Sequence, residues 1–94
     1  MPSAFKPHSY STVSPYLIVK DAAATIEFLK SVFQAEELRL FPNADGRIMH
    51  SEVRIDDTVI MVADSAPDWP SIASNVHIYV RDVDTTYRLQ TKST

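Results

Sequence analysis

The stretch Leu17-Ile18-Val19-Lys20-Asp21 returns as Ile78-Tyr79-Val80-Arg81-Asp82, displaced by 61 residues, and the same displacement carries Thr25 onto Thr86. In both copies a short apolar run rich in branched and aromatic residues ends in a basic residue and an aspartate. Such a run suits a strand. The aspartate behind it suits a helix N-cap, because its carboxylate accepts a hydrogen bond from an otherwise orphan amide. The repeat therefore predicts the same strand-then-helix unit at both ends of the chain.

Outward from the first copy, Pro15 stands where a proline is tolerated, at the start of a strand, so the first strand is read over Tyr16-Leu17-Ile18-Val19. Behind Asp21, the residues Ala22, Ile26, Leu29 and Phe33 fall at i, i+4, i+7 and i+11 and predict a helix over 22–33 with one apolar stripe. The segment from Leu38 to Phe41 alternates with Glu37 and Arg39 and runs into Pro42-Asn43-Ala44-Asp45-Gly46, whose Asp-Gly supplies the positive-φ residue of a hairpin. From Arg47 to Ile55 the period is two, which predicts Ile48, His50, Glu52 and Arg54 on one face and Met49, Ser51, Val53 and Ile55 on the other. Asp56-Asp57 turns the chain into a fourth strand from Thr58 to Ala63. After a proline-bearing loop, residues 76–80 read as a fifth strand, and Asp82 caps a helix carrying Val83, Tyr87 and Leu89 inside which the chain stops. Residues 1–12 lack periodicity and read as a flexible lead-in.

Composition narrows the function classes. The chain has 94 residues, room for one domain. Its 12 acidic and 9 basic residues give a charge of −3, and the basic ones are scattered, which argues against nucleic acid as a partner. No run approaches the ~18 apolar residues of a membrane span, and the first ten residues carry no apolar signal core. A cytoplasmic location without membrane partners is expected. With no cysteine, disulfides, thiolate nucleophiles and cysteine-ligated metals are excluded. Gly46 alone cannot build a glycine-rich phosphate loop, which excludes Rossmann and P-loop nucleotide sites.

Four segments carry a family resemblance: Pro15-Tyr16-Leu17-Ile18-Val19-Lys20-Asp21-Ala22-Ala23, Ile26-Glu27-Phe28, Asp45-Gly46-Arg47-Ile48-Met49-His50-Ser51-Glu52, and Val76-His77-Ile78-Tyr79-Val80-Arg81-Asp82-Val83-Asp84. In this order they resemble the glyoxalase/bleomycin resistance/dioxygenase (vicinal oxygen chelate) superfamily, and within it the PhnB-like branch, also labelled 3-demethylubiquinone methyltransferase-like. The resemblance implies an α+β fold of two paired βαβββ modules, curled into a half-barrel with helices outside and a ligand cavity inside. The first module spans 13–64, a loop 65–74, and a partial second module 75–94, cut after its first strand and helix. Within one domain over 13–94, three strands of the second module are then missing. Either the chain is a fragment or two chains supply each other's missing strands; an unpaired sheet edge favours the second, and a homodimer by strand pairing or swapping is expected.

The resemblance places metal ligands on the first strand of each module and near the end of each fourth. At the first-strand positions this chain has Ser14 and Asn75, and the cavity-facing residues of strand four are Met61 and Ala63. None is a strong ligand for a divalent ion, so no metal and no other cofactor is expected. His77 is read as a ligand contact or proton-transfer group, or else a hydrogen-bonded strand histidine. His50 and Glu52 form an i, i+2 pair able to orient each other or a polar ligand, or else a solvated stripe continued by Arg54. Tyr16 and Tyr79 occupy neighbouring cavity slots through the repeat, and Met61 contributes apolar wall or core, as Met49 and Phe33 do. Trp69, in Pro67-Asp68-Trp69-Pro70, either lids the cavity, anchors an interface or packs the loop.

The leading expectation is a dimeric small-molecule-binding protein of the bleomycin resistance kind, holding an organic ligand without metal chemistry. A metal-dependent lyase, isomerase or dioxygenase of the same superfamily is the enzymatic alternative. A truncated non-catalytic remnant is the third. No loop for a methyl donor is visible, so the branch label implies no methyltransferase activity.

Overall fold

The computed structural model describes residues 5–8 and 10–93, with side chains as far as Leu89. Residues 1–4 and 9 of the expected lead-in and residue 94 of the expected second module lie outside the described residues. The elements are β1 (Tyr16–Val19), α1 (Ala22–Phe33), β2 (Glu36–Pro42), β3 (Ile48–Ile55), β4 (Thr58–Asp64) and α2 (Val83–Ser93). One four-stranded sheet has the order β1-β4-β3-β2, with β1 parallel to β4 and the other pairs antiparallel. The connection from β1 to β4 therefore carries α1, β2 and β3. This is the βαβββ arrangement expected for the first module.

The caps form as the sequence predicts. Asp21 accepts from the Ala24 amide at 3.1 Å, and α1 ends where Gln34 takes a left-handed conformation at φ 55°. A second carboxylate also serves the helix start, because Asp64 Oδ1 accepts from Ala22 N–H at 2.9 Å while its Oδ2 accepts from Ile48 N–H at 2.7 Å. One side chain at the end of β4 thus ties the beginnings of α1 and β3 together. The buried stripe of α1 is Ala22, Ile26, Leu29 and Val32 rather than Phe33. Phe33 is only partly buried and meets Phe28 edge-on, with ring centroids 6.1 Å apart. Gly46 holds φ 87° in the β2–β3 turn, the conformation that Asp-Gly signals.

Alternation along the strands sorts the sheet into two faces. Val53, Ile60 and Val62 join Ala22, Ile26 and Leu29 in the core between sheet and α1, with Leu17, Val19 and Ile55 at its margin. Ile18, Val59 and Ala63 are buried outside that cluster, toward the opposite face. Two bulges break the alternation. Glu37 pairs with Val53 but Arg39 with Glu52, leaving Leu38 as an extra residue in β2; Phe41 pairs with His50 but Pro42 with Ile48, leaving Met49 extra in β3. The second bulge corrects the expected faces of β3. Ile48 does not share a face with His50 but enters the core at 6% exposure, and Met49 is turned out at 60%.

The expected fifth strand is not formed. Residues 76–80 are extended but belong to no strand, because no neighbouring strand offers them a ladder. Val76 and Ile78 lean with Ile72 against Leu17, Phe28 and Phe33 around an apolar cleft of about 520 Å³. Just before this segment, Ile72 N–H donates to the Ile18 carbonyl at 3.3 Å. α2 then packs along α1 and continues through Ser93. Among the described residues no helix is long and apolar enough to cross a membrane.

Candidate functional site

The register assembles the site on the face opposite α1. Tyr16 pairs with Met61, Met61 with Glu52, and Glu52 with Arg39, so these four form one row across β1, β4, β3 and β2. His50 and Phe41 pair in the next row. Rows at this spacing bring long side chains of adjacent strands into contact.

The contacts close into a chain. Glu52 Oε2 lies 2.8 Å from His50 Nε2, and His50 Nδ1 lies 2.9 Å from the Tyr16 hydroxyl. Glu52 Oε1 accepts from the Tyr10 hydroxyl and sits 3.8 Å from Arg39 Nε. Glu52 is 8% exposed, and burial, the largest single influence on its carboxyl, raises its pKa. The hydrogen bonds from Tyr10 and His50, with the charges of His50 and Arg39, outweigh burial and hold the carboxyl below its ordinary value. At neutral pH Glu52 is thus a carboxylate and can only accept, which places a proton on His50 Nε2. In the neutral ring Nδ1 is then the acceptor for the Tyr16 hydroxyl. That phenol is itself raised, first by burial and then by the charge of Glu52. The Tyr10 phenol is raised as well, chiefly by its hydrogen bond to Glu52.

Aromatic rings border this chain. Trp69 stands on a tight turn in which Ala66 and Trp69 exchange backbone hydrogen bonds at 2.8 and 2.9 Å, and its ring centroid is 5.7 Å from that of Tyr16. Phe41 and Tyr16 lie 6.1 and 5.5 Å from the His50 ring. A cavity of about 310 Å³ opens beside Glu52, between Tyr10, Ser14, Arg39 and Met61. The arrangement offers a fixed acceptor, a hydroxyl–imidazole pair able to pass a proton, and an aromatic wall.

Of the residues singled out from sequence, Tyr16, His50, Glu52, Met61 and Trp69 come together here. His77 and Tyr79 do not join them. Both are exposed and pack edge-on against each other at 4.7 Å, because the segment that carries them is unpaired. Sequence reasoning left out Tyr10, Arg39 and Phe41. Arg39 and Phe41 were visible as alternating residues of β2, but their opposition to Glu52 and His50 depends on the bulge at Leu38. Tyr10 fell in the lead-in and carried no local signal.

These features define a class: a βαβββ unit whose sheet presents a polar acceptor and an aromatic wall on the face away from its helix. The chain belongs to the Glyoxalase/Bleomycin resistance protein/Dioxygenase superfamily, whose family model matches residues 10–92. It is 32% identical over 87 residues to Uncharacterized protein Mb0911c of Mycobacterium bovis, covering 81% of this chain and 57% of that protein. The same identity over 87 residues is found with Uncharacterized protein Rv0887c of Mycobacterium tuberculosis, covering 51% of it. The chain thus spans about half the length of the curated relatives it matches. The crystal structure of TioX from Micromonospora sp. ML1 superposes with a TM-score of 0.63 at 22% identity, over 88% of this chain and 72% of that one, a likeness of fold.

The residues at the positions the resemblance assigns to metal ligands do not fit a divalent ion. The Ser14 hydroxyl is 3.1 Å from that of Ser11, and Asn75 is exposed on the unpaired segment. A serine hydroxyl and a carboxamide are weak donors for such ions. Among the described residues no three His, Cys, Asp or Glu side chains converge on one point.

Proposed function

We propose that the chain is a small-molecule-binding protein of its superfamily, acting through the Tyr16–His50–Glu52 face without the family's metal centre. The observation that carries this reading is the buried Glu52 carboxylate held between His50 at 2.8 Å and the Tyr10 hydroxyl, beside a cavity of about 310 Å³. A buried acceptor at a cavity wall recognises a donor on a ligand, and Tyr16, Phe41 and Trp69 favour a planar one. The donor set at Ser14 and Asn75 supports a metal-free site. The four matching segments support placement in the PhnB-like branch.

A homodimer belongs to the same reading. The segment 76–80 is extended and unpaired, with Tyr79 91% exposed, and a strand from a second copy would satisfy its backbone. Its parity supports a shared site: Val76 and Ile78 face the helix side as Leu17 and Val19 do, so His77 and Tyr79 correspond to the Tyr16 side of the sheet. A thermal-shift screen of the full chain with planar hydroxylated aromatics, and separately with divalent metals, tests the function. Stabilisation by the aromatics that is lost in Glu52→Gln is expected. Stabilisation by a metal alone would replace this reading with the enzymatic one.

A further inference from the structure

Glu52 draws its donors from two kinds of structure. His50 and Arg39 are held by the β2–β3 ladder, one two residues away on the same strand and the other directly opposite. Tyr10 comes from outside every strand and helix and reaches Glu52 across 42 residues of sequence. Its segment is tethered at Pro15, whose carbonyl accepts from Met61 N–H at 2.9 Å, and by Ser11 Oγ, which accepts from Val59 N–H at 3.3 Å. This segment forms one wall of the cavity of about 310 Å³, with Arg39, Glu52 and Met61 across from it.

We propose that Tyr10 is a built-in occupant of the Glu52 site, and that the site takes the hydroxyl of a phenol which displaces the 10–14 strap. This deepens, and rests on, the small-molecule-binding reading. Glu52 is an acceptor that has lost most of its water, so it needs a donor in every state of the protein, and a ligand must bring one to replace Tyr10. A phenol brings the donor and the ring that Tyr10 already places there. The Arg39 guanidinium, 3.8 Å from the same carboxylate oxygen, tolerates an electron-rich ring carrying further oxygens. His50, itself bonded to the Tyr16 hydroxyl, holds the other carboxylate oxygen in place and leaves the Tyr10 side of Glu52 as the exchangeable one. The strap therefore competes with the ligand, keeps the carboxylate satisfied when no ligand is bound, and sets a threshold on binding.

The probe is p-cresol, the tyrosine side chain as a free molecule, with toluene as the analogue lacking the hydroxyl. Both are titrated by calorimetry and by amide NMR into the full wild-type chain, Tyr10→Ala, Tyr10→Phe and Tyr10→Ala/Glu52→Gln. Tyr10→Ala is expected to bind p-cresol at least tenfold more tightly than wild type and tenfold more tightly than toluene, with the preference for the hydroxyl lost when Glu52 is replaced. Tyr10→Phe keeps the ring and removes only the hydrogen bond; it is expected to bind p-cresol several-fold more tightly than wild type, and it decides the matter should Tyr10→Ala not fold. Equal affinity in wild type and Tyr10→Phe, equal affinity of Tyr10→Ala for the two probes, or no p-cresol binding by any variant overturns the proposal. The broader reading fails separately, if no planar aromatic in the thermal-shift screen acts through Glu52.

Discussion

The Tyr16 hydroxyl on β1 lies 2.9 Å from Nδ1 of His50 on β3, reaching across β4 to a strand with which β1 shares no hydrogen bond. It can do so because Tyr16 is in register with Met61, and Met61 with Glu52, so the phenol stands over the intervening strand beside the His50–Glu52 pair. Two backbone ladders thereby fix the geometry of three side chains.

Acid should weaken this arrangement. The folded-state pKa of Glu52 lies below its unfolded value, so the unfolded chain binds the extra proton and stability rises with pH through that window. The contribution is fully present above the ordinary carboxyl value near 4.5 and is lost as pH falls through the folded value. Glu52→Gln should cost about 1–3 kcal/mol at neutral pH, and the gap between the two proteins should close as acid denaturation is followed below pH 4.5.

Alkali acts on the two phenols with the opposite sign. Tyr10 and Tyr16 are raised above the ordinary value of 10.0, so their contribution is complete below that pH and disappears as pH rises through the folded values. Tyrosinate absorbance should show that Tyr10→Phe and Tyr16→Phe each remove a late-ionising phenol. Loss of an early phase instead would contradict the contacts with Glu52 and His50.

Asp64 should matter to folding more than its place at a strand end suggests. Asp64→Ala strands the amides of Ala22 and Ile48, each at a cost of about 1–3 kcal/mol if left without a partner. Asp64→Asn keeps an acceptor for one of them and should lose less. Urea midpoints with unchanged slopes would measure the difference.

The bulge at Met49 can be tested by a pair of neighbours. Ile48→Ala should cost about 2–5 kcal/mol because Ile48 lies in the core, whereas Met49→Ala should fall within about 0.5 kcal/mol of wild type. Uninterrupted alternation along β3 predicts the reverse order.

Association should be read from mass. Sedimentation equilibrium is expected to give twice 10.6 kDa, with Tyr79→Arg shifting the equilibrium toward single chains. A well-folded monomer at all concentrations would remove the dimer and leave His77 and Tyr79 outside any site.

By itself the sequence determined the elements whose cause is local. Asp21 and the Ala22, Ile26, Leu29 spacing specify α1, Asp45-Gly46 specifies the turn, and the period of β3 sets His50 beside Glu52. The repeat of residues 17–21 at 78–82 carried the family, but it did not make residues 76–80 a strand, because a strand exists only where another backbone accepts its ladder. Tertiary structure alone decided which residues complete the site. Extra residues at Leu38 and Met49 are accommodated by the partner strand, and they move Arg39 opposite Glu52 and Ile48 into the core. Tyr10 reaches Glu52 only after β1, β4 and β3 have paired, and no local pattern encodes a hydrogen bond spanning 42 residues.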